Sequence, residues 1–241
     1  MVCDIIIPTY NLPEMTVACL NSIRQHTSDY RIIWVDNGSS EAAKDQVCAV
    51  LSDMPHVAVM LDSNTGFIKA TNAGIRASDA PYLCLLNNDT EVEAAWLERM
   101  LAVFDDDPKI GLVGPTTTAH SWQNRETVFK ALYGQPPPRW LYVHTMLAFF
   151  CTVIRGEVID SVGLLDEGYG VGFGDDDDYC RRVVKAGWKM ALAMDVLIKH
   201  HHRTTFKSLY SIDKIREMLR GSMARYTQRW GPYPQATKLS R

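Results

Sequence analysis

Short apolar runs alternate with amphipathic stretches along the first half of the chain. The apolar runs, which are typical of strands buried on both faces, cover residues 2–7, 32–35, 57–61, 82–86 and 110–113. Apolar residues recur at helical spacing between them, over residues 12–26, 40–52, 69–77 and 92–104. Parallel strands joined by crossover helices give this alternation. The pattern therefore predicts an α/β fold.

The second half is less regular. Threonine and proline clusters in residues 115–142 predict a long loop. The elements predicted after it are a strand near 146–154, a helix near 157–162, an acidic turn leading into a helix through 185, a strand over 190–198 and a basic, aromatic helix over 212–230. Because neither an internal repeat nor a break in composition appears, we expect one domain over residues 1–241.

Composition narrows the classes of function. The formal net charge is −3 and no block of basic residues occurs, which disfavours binding to nucleic acid. The longest apolar stretch, 146–154, is about half the roughly 20 residues that a membrane-spanning helix needs. The N-terminal residues do not have the pattern of a signal peptide, and the six cysteines are widely spaced. We expect a cytoplasmic protein with reduced cysteines and no transmembrane segment.

Polar segments follow four of the predicted strands. These segments are residues 8–11, 36–39, 62–66 and 87–89. In an open α/β sheet, ligands bind outside the carboxyl ends of the strands, so we expect the four segments to meet at one edge. Asn, Asp, Gly and Ser also favour ordinary turns and helix caps, so any single segment has a purely structural alternative.

Two acidic residues in these segments suggest a nucleotide and a metal ion. Asp36 follows the second strand, where a carboxylate can accept hydrogen bonds from ribose hydroxyls or from a base. Asp89 is a hard oxygen donor that could hold a divalent cation, although it could equally cap the next helix. The glycine-rich loops of dinucleotide enzymes and of P-loop NTPases do not occur in the sequence.

Two unusual runs lie in the second half. Residues 175–178 are four consecutive aspartates before a helical pattern, where mutual repulsion can raise the pKa of one carboxyl and make it a better base. A solvated acidic cap is the alternative. Residues 200–202 are three consecutive histidines, of which at most two can serve one site because neighbours on an extended chain point to opposite faces. Ordinary surface or core histidines are the alternative here.

Taken in order, these segments resemble the family 2 glycosyltransferases of GT-A fold, and the resemblance covers nearly the whole chain. The matching segments are Asp4-Ile5-Ile6-Ile7-Pro8-Thr9-Tyr10-Asn11, Val35-Asp36-Asn37-Gly38-Ser39, Asn64-Thr65-Gly66-Phe67, Asn72-Ala73-Gly74-Ile75, Leu85-Leu86-Asn87-Asn88-Asp89, Leu165-Asp166-Glu167, Gly174-Asp175-Asp176, His200 and Arg229-Trp230-Gly231.

The resemblance implies a single Rossmann-like mixed sheet flanked by helices. It implies a nucleotide-sugar-binding half over about 1–114 and an acceptor-binding, catalytic half over about 115–241. The reaction implied is inverting transfer from a UDP-, dTDP- or GDP-linked sugar to a glycan or lipid-linked glycan in polysaccharide assembly, with Mn²⁺ or Mg²⁺ as cofactor.

The resemblance also assigns residues. Contacts to the nucleotide sugar are implied for Pro8, Thr9, Tyr10, Asn11, Asp36, Asn64, Gly66, Lys69, Asn72 and Asn88. Metal ligation is implied for Asp89 and His200, with Asn87 at the position where the family usually has the first aspartate of its Asp-x-Asp motif. Asp176 is the expected base, with Asp175 as the second candidate, in a pair that is usually Glu-Asp.

Two other activities stay open, and so do two binding surfaces. The chain could be a catalytically silent nucleotide-sugar-binding module, or a metal-dependent hydrolase in which water replaces the acceptor. The segment containing Trp122, Trp140, Tyr142 and His144 could stack against an acceptor sugar or simply pack as a loop. Residues 203–211, with Arg203, could close over the site as a lid, and the basic C-terminal helix could touch the inner face of a membrane.

Overall fold

The computed structural model describes residues 1–117, 138–201 and 211–232. The helices in these ranges are α1 (Pro13–His26), α2 (Glu41–Leu51), α3 (Phe67–Arg76), α4 (Trp96–Leu101), α5 (Val103–Asp106), α6 (Gly156–Val162), α7 (Asp175–Lys185) and α8 (Ile212–Trp230). The strands are β1 (Cys3–Thr9), β2 (Tyr30–Asp36), β3 (His56–Met60), β4 (Tyr82–Leu86), β5 (Thr90–Glu91), β6 (Ile110–Thr117), β7 (Trp140–Val143), β8 (Cys151–Arg155) and β9 (Lys189–His200).

The strands form one mixed sheet in the order β3-β2-β1-β4-β8-β6-β9-β5, with β7 also paired to β9. The strands β1 to β4 are mutually parallel, as the alternating pattern predicts. The next strand in space, β8, runs antiparallel to both β4 and β6. Beyond it, β6 and β9 are parallel to each other. One sheet therefore runs through both halves of the chain.

Helices cover both faces of the sheet. Along β1, Ile5 and Ile7 face the core beneath α1, α2 and α4, whereas Ile6 faces the core beneath α3, α6 and α7. This alternation explains the continuous apolar run, because a strand that is covered on both sides needs apolar residues at every position. The exception, Asp4, is fully buried and accepts two hydrogen bonds from Arg31, at 2.9 and 2.7 Å, and one from Ser78 at 2.6 Å.

Some of the predicted boundaries are wrong. The strand predicted near 146–154 begins only at Cys151, and residues 147–150 are buried without being a strand. The helix predicted over 92–104 is two short helices that follow the small strand β5. In both places apolar residues mark burial, and burial alone does not distinguish a strand or helix from a packed loop.

The C-terminal helix and the cysteines are as predicted, whereas the predicted loop contains strand residues. The C-terminal helix has the predicted bounds, and all six cysteines are unpaired thiols, of which only Cys48 is exposed. Across the described ranges, no helix has the length and apolar character needed to cross a membrane. The predicted loop over 115–142 contains the end of β6 and the strand β7, while residues 118–137 lie outside the described part of the chain.

Candidate active site

The polar segments that follow β1 and β2 meet at the carboxyl edge of the sheet. Strand register places Thr9 beside Asp36, and the Asn37 amide donates to the Thr9 carbonyl at 2.8 Å. Two further hydrogen bonds lock the loops together, from the Asn11 amide to Ser39 Oγ at 2.8 Å and from the Ser40 amide to Asn11 Oδ1 at 3.0 Å. The prediction that these segments converge is confirmed.

Asp36 has one oxygen engaged and one without a partner. Its Oδ2 accepts from the amides of Gly38 and Ser39 at 3.2 and 3.1 Å. Its Oδ1 is buried and has no hydrogen-bond partner among the described residues. A buried carboxylate oxygen without a donor is costly, so this atom is well placed to accept hydrogen bonds from a ligand.

Asn37 organises the next loop. Its side-chain Nδ2 donates to Asn64 Oδ1 at 3.1 Å and to the Gly66 carbonyl at 3.3 Å, and its Oδ1 accepts from the Thr65 backbone amide at 2.9 Å. Sequence reasoning missed this role, because an asparagine beside an acidic candidate looks like ordinary turn chemistry.

Gly66 is held by the second half of the chain. Its φ is +88°, and an added Cβ would lie 2.8 Å from Val171 Cα. The following amide, of Phe67, donates to the Val171 carbonyl at 3.0 Å. Lys69, one turn into α3, is exposed, whereas Pro8, Tyr10 and Asn11 are half-buried at the end of β1.

Three predicted nucleotide contacts have side chains that are engaged within the fold. Thr9 Oγ1 accepts from Trp34 Nε1 at 2.8 Å. The Asn72 side chain bonds to the amide and carbonyl of Leu165 and to Glu167, each at 3.0 Å. Asn88 donates to Thr16 at 3.0 Å. These bonds brace the loops, and direct contact of the three residues with a nucleotide stays a prediction.

Asp89 and His200 meet although 111 positions separate them. The small strand β5 pairs antiparallel with the end of β9, placing Thr90 opposite His200, and the His201 amide donates to the Asp89 carbonyl at 2.9 Å. Asp89 Oδ1 lies 3.2 Å from His200 Nε2, and both side chains are more than 90% buried.

This pair suits a divalent cation. A carboxylate oxygen and an imidazole nitrogen are ligands that Mn²⁺ accepts, and two protein ligands leave coordination positions for phosphate oxygens and water. Within the described ranges, no group of three or more His, Cys, Asp and Glu side chains surrounds a common point, so phosphate and water would have to complete the site. Asn87 is half-buried two residues before Asp89.

Phe150 contacts both His200 and Asn87. Its ring stacks on the His200 imidazole, with centroids 4.8 Å apart and planes 12° apart. Its carbonyl accepts from the Asn87 amide at 2.8 Å. The apolar run 146–154 predicted a buried strand at this position, so these contacts of Phe150 could not be inferred from the sequence.

The four aspartates of α7 have different environments. Gly174 precedes them at a φ of +78° and starts the helix. Burial, together with the charges of Asp177 and Asp178, raises the pKa of Asp175 to about 6. Burial also raises the pKa of Asp176 well above its ordinary value, and the neighbouring charges of Asp175 and Asp177 add to the effect. A raised pKa makes each of these two carboxylates a better proton acceptor than an ordinary aspartate.

Asp178 instead holds the C-terminal helix in place. It is fully buried, pairs with Arg182 at 2.8 Å and Arg229 at 3.1 Å, and accepts from Trp230 Nε1 at 2.8 Å. Asp166 also holds α8 in place, because it accepts two hydrogen bonds at 2.8 Å from Arg225 of that helix. The sequence marks Asp166 and Arg229 only as members of matching motifs, and their partners become visible only in the structure.

Part of the predicted acceptor segment is engaged elsewhere. Trp140 Nε1 donates to Asp106 at 2.5 Å, and the Tyr142 hydroxyl donates to Asp107 at 2.8 Å. Asp106 and Asp107 precede the amino end of β6, at the edge opposite the carboxyl ends of β1 to β4. These two aromatic residues therefore belong to strand β7 and pack at that edge, which fits a structural role better than sugar stacking. Trp122, Arg203 and the predicted lid through residue 210 lie outside the described residues.

The sequence is similar to those of known glycosyltransferases. The chain is 25% identical over 207 residues to glycosyltransferase AglE of Haloferax volcanii, covering 83% of this chain and 67% of that protein. It is 27% identical over 218 residues to the pre-mycofactocin glycosyltransferase of Mycobacterium tuberculosis, covering 84% of this chain and 43% of that protein. The chain thus spans about half to two thirds of the length of these relatives.

Solved structures share the fold. A mannosyltransferase from Pyrobaculum calidifontis, in complex with GDP-Man and Mn²⁺, superposes with a TM-score of 0.72 at 17% identity, over 97% of this chain and 66% of that one. GalNAc-T7 with UDP, GalNAc and Mn²⁺ superposes with a TM-score of 0.67 at 14% identity, over 83% of this chain and 44% of that one. The expected GT-A fold is confirmed.

The sequence itself gives the family. The pattern of Glycosyl transferase family 2 matches residues 4–163, which include β1, the Asp36 loop, Asp89 and α6. This match covers more than half of the chain and contains most of the residues that form the carboxyl edge of the sheet. The chain is therefore a member of glycosyl transferase family 2.

Proposed function

We propose that this chain transfers a sugar from a nucleotide diphospho-sugar to a hydroxyl group of a glycan or lipid-linked glycan, with inversion at the anomeric carbon. The observation that carries the proposal is the contact between Asp89 and His200 at the edge where Asp36 has a buried, unpartnered oxygen. A diphosphate and a nucleoside are the chemical groups that these two features suit.

Each residue has a distinct task in this proposal. Asp36 Oδ1 accepts hydrogen bonds from the ribose or the base, and Asp89 and His200 hold Mn²⁺ or Mg²⁺, with Asn87 near them. When bound, the cation supplies positive charge that stabilises the diphosphate leaving group. Lys69 adds a second positive charge near the phosphates. Pro8, Tyr10, Asn11, Asn64 and Gly66 shape the nucleotide pocket.

Asp176 is the proposed general base. Its raised pKa makes it a stronger proton acceptor than an ordinary aspartate. As the acceptor oxygen forms its bond to the anomeric carbon, its proton passes to the Asp176 carboxylate and the carbon–phosphate oxygen bond breaks on the opposite face. The nucleoside diphosphate leaves with the bonding electrons, so the configuration inverts. Asp175 is the second candidate for the base.

The identities of the donor, the acceptor and the cellular location are also proposals. The structural relatives carry GDP-Man in one case and UDP with GalNAc in another, which supports testing guanine and uracil nucleotides first. The curated matches include a teichoic acid poly(glycerol phosphate) polymerase and chondroitin synthase, which supports a glycan acceptor in polysaccharide assembly. Action in the cytoplasm stays a prediction from the sequence.

A thermal-shift panel tests the donor site. UDP, dTDP, GDP and CDP are each added with and without Mn²⁺, because a ligand at 100 times its Kd stabilises the native state by about 2.7 kcal/mol. We expect one nucleotide to raise Tm by about 5–10 °C in a metal-dependent way. Asp89→Ala and His200→Ala should lose the shift. Glu91→Gln, which alters a neighbouring carboxylate that pairs with Lys199 and His201, should keep it.

The outcomes separate the proposal from its rivals. If no nucleotide shifts Tm, or if Asp89→Ala responds like the wild type, the donor site is wrong. Sugar release at a rate indifferent to every added acceptor would identify a hydrolase. Binding without turnover, unchanged by Asp176→Asn, would identify a silent binding module. For a true transferase, the anomeric configuration of the product, read by NMR, should be opposite to that of the donor.

A further inference from the structure

A cleft of about 390 Å³ lies between α7, α8 and the segment before residue 147. It begins at Asp177, the residue after the proposed base, and extends along α7 toward its carboxyl end. The side chains that line it are those of His144, Thr145, Asp177, Arg181, Val184, Lys185, Tyr226 and Trp230. None of the tasks proposed above for donor binding uses these residues.

Two cations line the cleft without a carboxylate partner. The Arg181 guanidinium lies 5.1 Å from the centre of the Tyr226 ring and 5.8 Å from that of Trp230. Lys185 Nζ lies 6.0 Å from the Trp230 ring. Of the carboxylates in the described ranges, none is within 4.0 Å of either cation. Aromatic faces hold the cations in place and leave their charge available.

The neighbouring arginines are different, because each is neutralised by a carboxylate. Arg182 pairs with Asp178 at 2.8 Å, Arg225 with Asp166 at 2.8 Å and Arg229 with Asp166 at 3.0 Å. The same helix pair therefore uses some arginines for packing and leaves Arg181 and Lys185 facing the cleft. Among the described residues that line the cleft, Asp177 is the only acidic one, so two positive charges face one negative charge there.

The cleft reaches the amino end of α7, where Asp177 lines it one residue after the proposed base. A helix rises about 1.5 Å and turns about 100° per residue, so Arg181 lies roughly 8 Å along the axis from Asp176 and about 140° around it. An acceptor with its hydroxyl at Asp176 would therefore pass round the amino end of α7 and carry its anionic group several sugar rings from that hydroxyl. The Trp230 ring, held by its hydrogen bond to Asp178 at 2.8 Å, offers a fixed face for such a ring.

We propose that this cleft binds the anionic part of the acceptor, a phosphate or carboxylate several sugar rings from the hydroxyl that receives the new linkage. This inference rests on the proposed function, because it takes Asp176 as the place of reaction. A phosphate between glycan and lipid, a phosphate within a polymer and the carboxylate of a uronic acid share the chemistry that Arg181 and Lys185 recognise.

Direct binding to the full chain, with Mn²⁺ and the nucleotide chosen by thermal shift, tests the cleft without turnover. Isothermal titration calorimetry at low ionic strength compares methyl glucoside, methyl glucuronide, glucose 1-phosphate, dodecyl phosphate and inorganic phosphate. We expect at least one of the two anionic sugars to bind tenfold or more tightly than methyl glucoside. This preference should weaken in 0.5 M NaCl, because salt screens partly exposed charges. Dodecyl phosphate binding above both sugars would point to the lipid-linked source.

Substitutions of Arg181 and Lys185 test whether the anionic sugar binds in this cleft. Arg181→Gln combined with Lys185→Gln should lower the affinity for the anionic sugar at least tenfold. Lys185→Gln alone removes an exposed charge and should lower the affinity for the anionic sugar about threefold. This single variant keeps Arg181, so it tests the cleft even if the loss of Arg181 loosens α8. Arg220→Gln is the matched control, because it removes an exposed cation of α8 outside the cleft and should leave affinity unchanged.

Several results would overturn the inference. One is equal affinity for charged and neutral sugars, and another is undiminished binding in the double variant. A third is equal affinity for inorganic phosphate and glucose 1-phosphate, which would mean that the cleft binds an adventitious anion only. The nucleotide thermal shift keeps the two proposals apart. If the shift persists in wild type and double variant while anionic sugars fail to bind, the cleft is wrong and the donor site stands.

Discussion

Identical side chains at 175–178 acquire different properties from their surroundings. Asp178 is ion-paired and fixes α8, whereas Asp175 is buried and Asp176 is half-buried next to other carboxylates, and both have raised pKa values. The sequence marks all four as an acidic start of a helix. Only the packing of Arg182, Arg229 and Trp230 around one of them separates structural from chemical roles.

The substitution Asp176→Asn tests catalysis and stability together. Transfer should fall about 10²- to 10⁴-fold, because the amide cannot accept the proton. In the wild type, kcat should fall as pH drops through the raised pKa, at a higher pH than an ordinary aspartate would give. Measurement of kcat from pH 5 to pH 9, with a saturating acceptor, checks both expectations.

The same raised pKa has the opposite effect on folding. The folded chain binds a proton at Asp176 more tightly than the unfolded chain does, so this carboxyl favours folding at low pH and disfavours it once pH exceeds the folded pKa. We therefore expect Asp176→Asn to raise Tm at pH 8, by about 2–4 °C for each kcal/mol added to the free energy of unfolding. At pH 4 the substitution should leave Tm unchanged. An equal change at both pH values would contradict this reasoning. The exposed Asp53→Asn is the control.

At the scale of elements, the loops at the carboxyl edge depend on close backbone contact. Gly38 has a φ of +82°, and an added Cβ would lie 2.5 Å from Ser63 Cα. This approach brings the loop after β2 against the loop after β3 while Asp36 Oδ2 accepts from the Gly38 amide. Sequence reasoning identified a polar turn here, but the contact across two loops requires the three-dimensional arrangement.

A pair of glycine substitutions tests this contact. Gly38→Ala should destabilise the fold by at least about 1–2 kcal/mol, from the positive φ alone, and should weaken nucleotide binding. Gly221→Ala, in α8 with nothing within 4 Å of an added Cβ, should stabilise the chain by roughly 0.5–1 kcal/mol. Urea unfolding of the three proteins measures both. Equal effects of the two substitutions would show that the loop contact is not what matters at Gly38.

At the scale of the whole molecule, the second half of the chain completes the first. The strand β8 lies between β4 and β6, so the parallel part of the sheet reaches β6 only through a strand from the second half. The end of β9 then crosses to β5 and brings His200 to Asp89. The predicted division near residue 114 does not divide the sheet, which runs through both parts.

A fragment test follows from this topology. Residues 1–114 alone should lack a cooperative unfolding transition, because β4 loses its neighbour β8 and β6 loses both of its partners. The fragment should also show no metal-dependent nucleotide shift, since it lacks His200. Well-dispersed amide signals in an NMR spectrum of the fragment, together with cooperative unfolding, would mean that the first half folds by itself.

The sequence determined the α/β class, the approximate places of most strands and helices, and the polar segments at the sheet edge. It could do so because local periodicity and turn chemistry depend on residues close together in the chain. Family resemblance then implied metal ligation by Asp89 and His200 and selected Asp176 from the four aspartates, since ordered motifs carry more information than any one of them.

Tertiary structure alone decided the rest. The antiparallel position of β8, the buried but irregular residues 147–150, the engagement of Thr9, Asn72 and Asn88 within the fold, and the unpaired cations in the cleft all depend on contacts between distant positions. An apolar residue predicts burial without naming its neighbour, and a charged residue does not reveal whether a partner neutralises it. Which arginine packs and which one faces a ligand is therefore fixed only when the chain has folded.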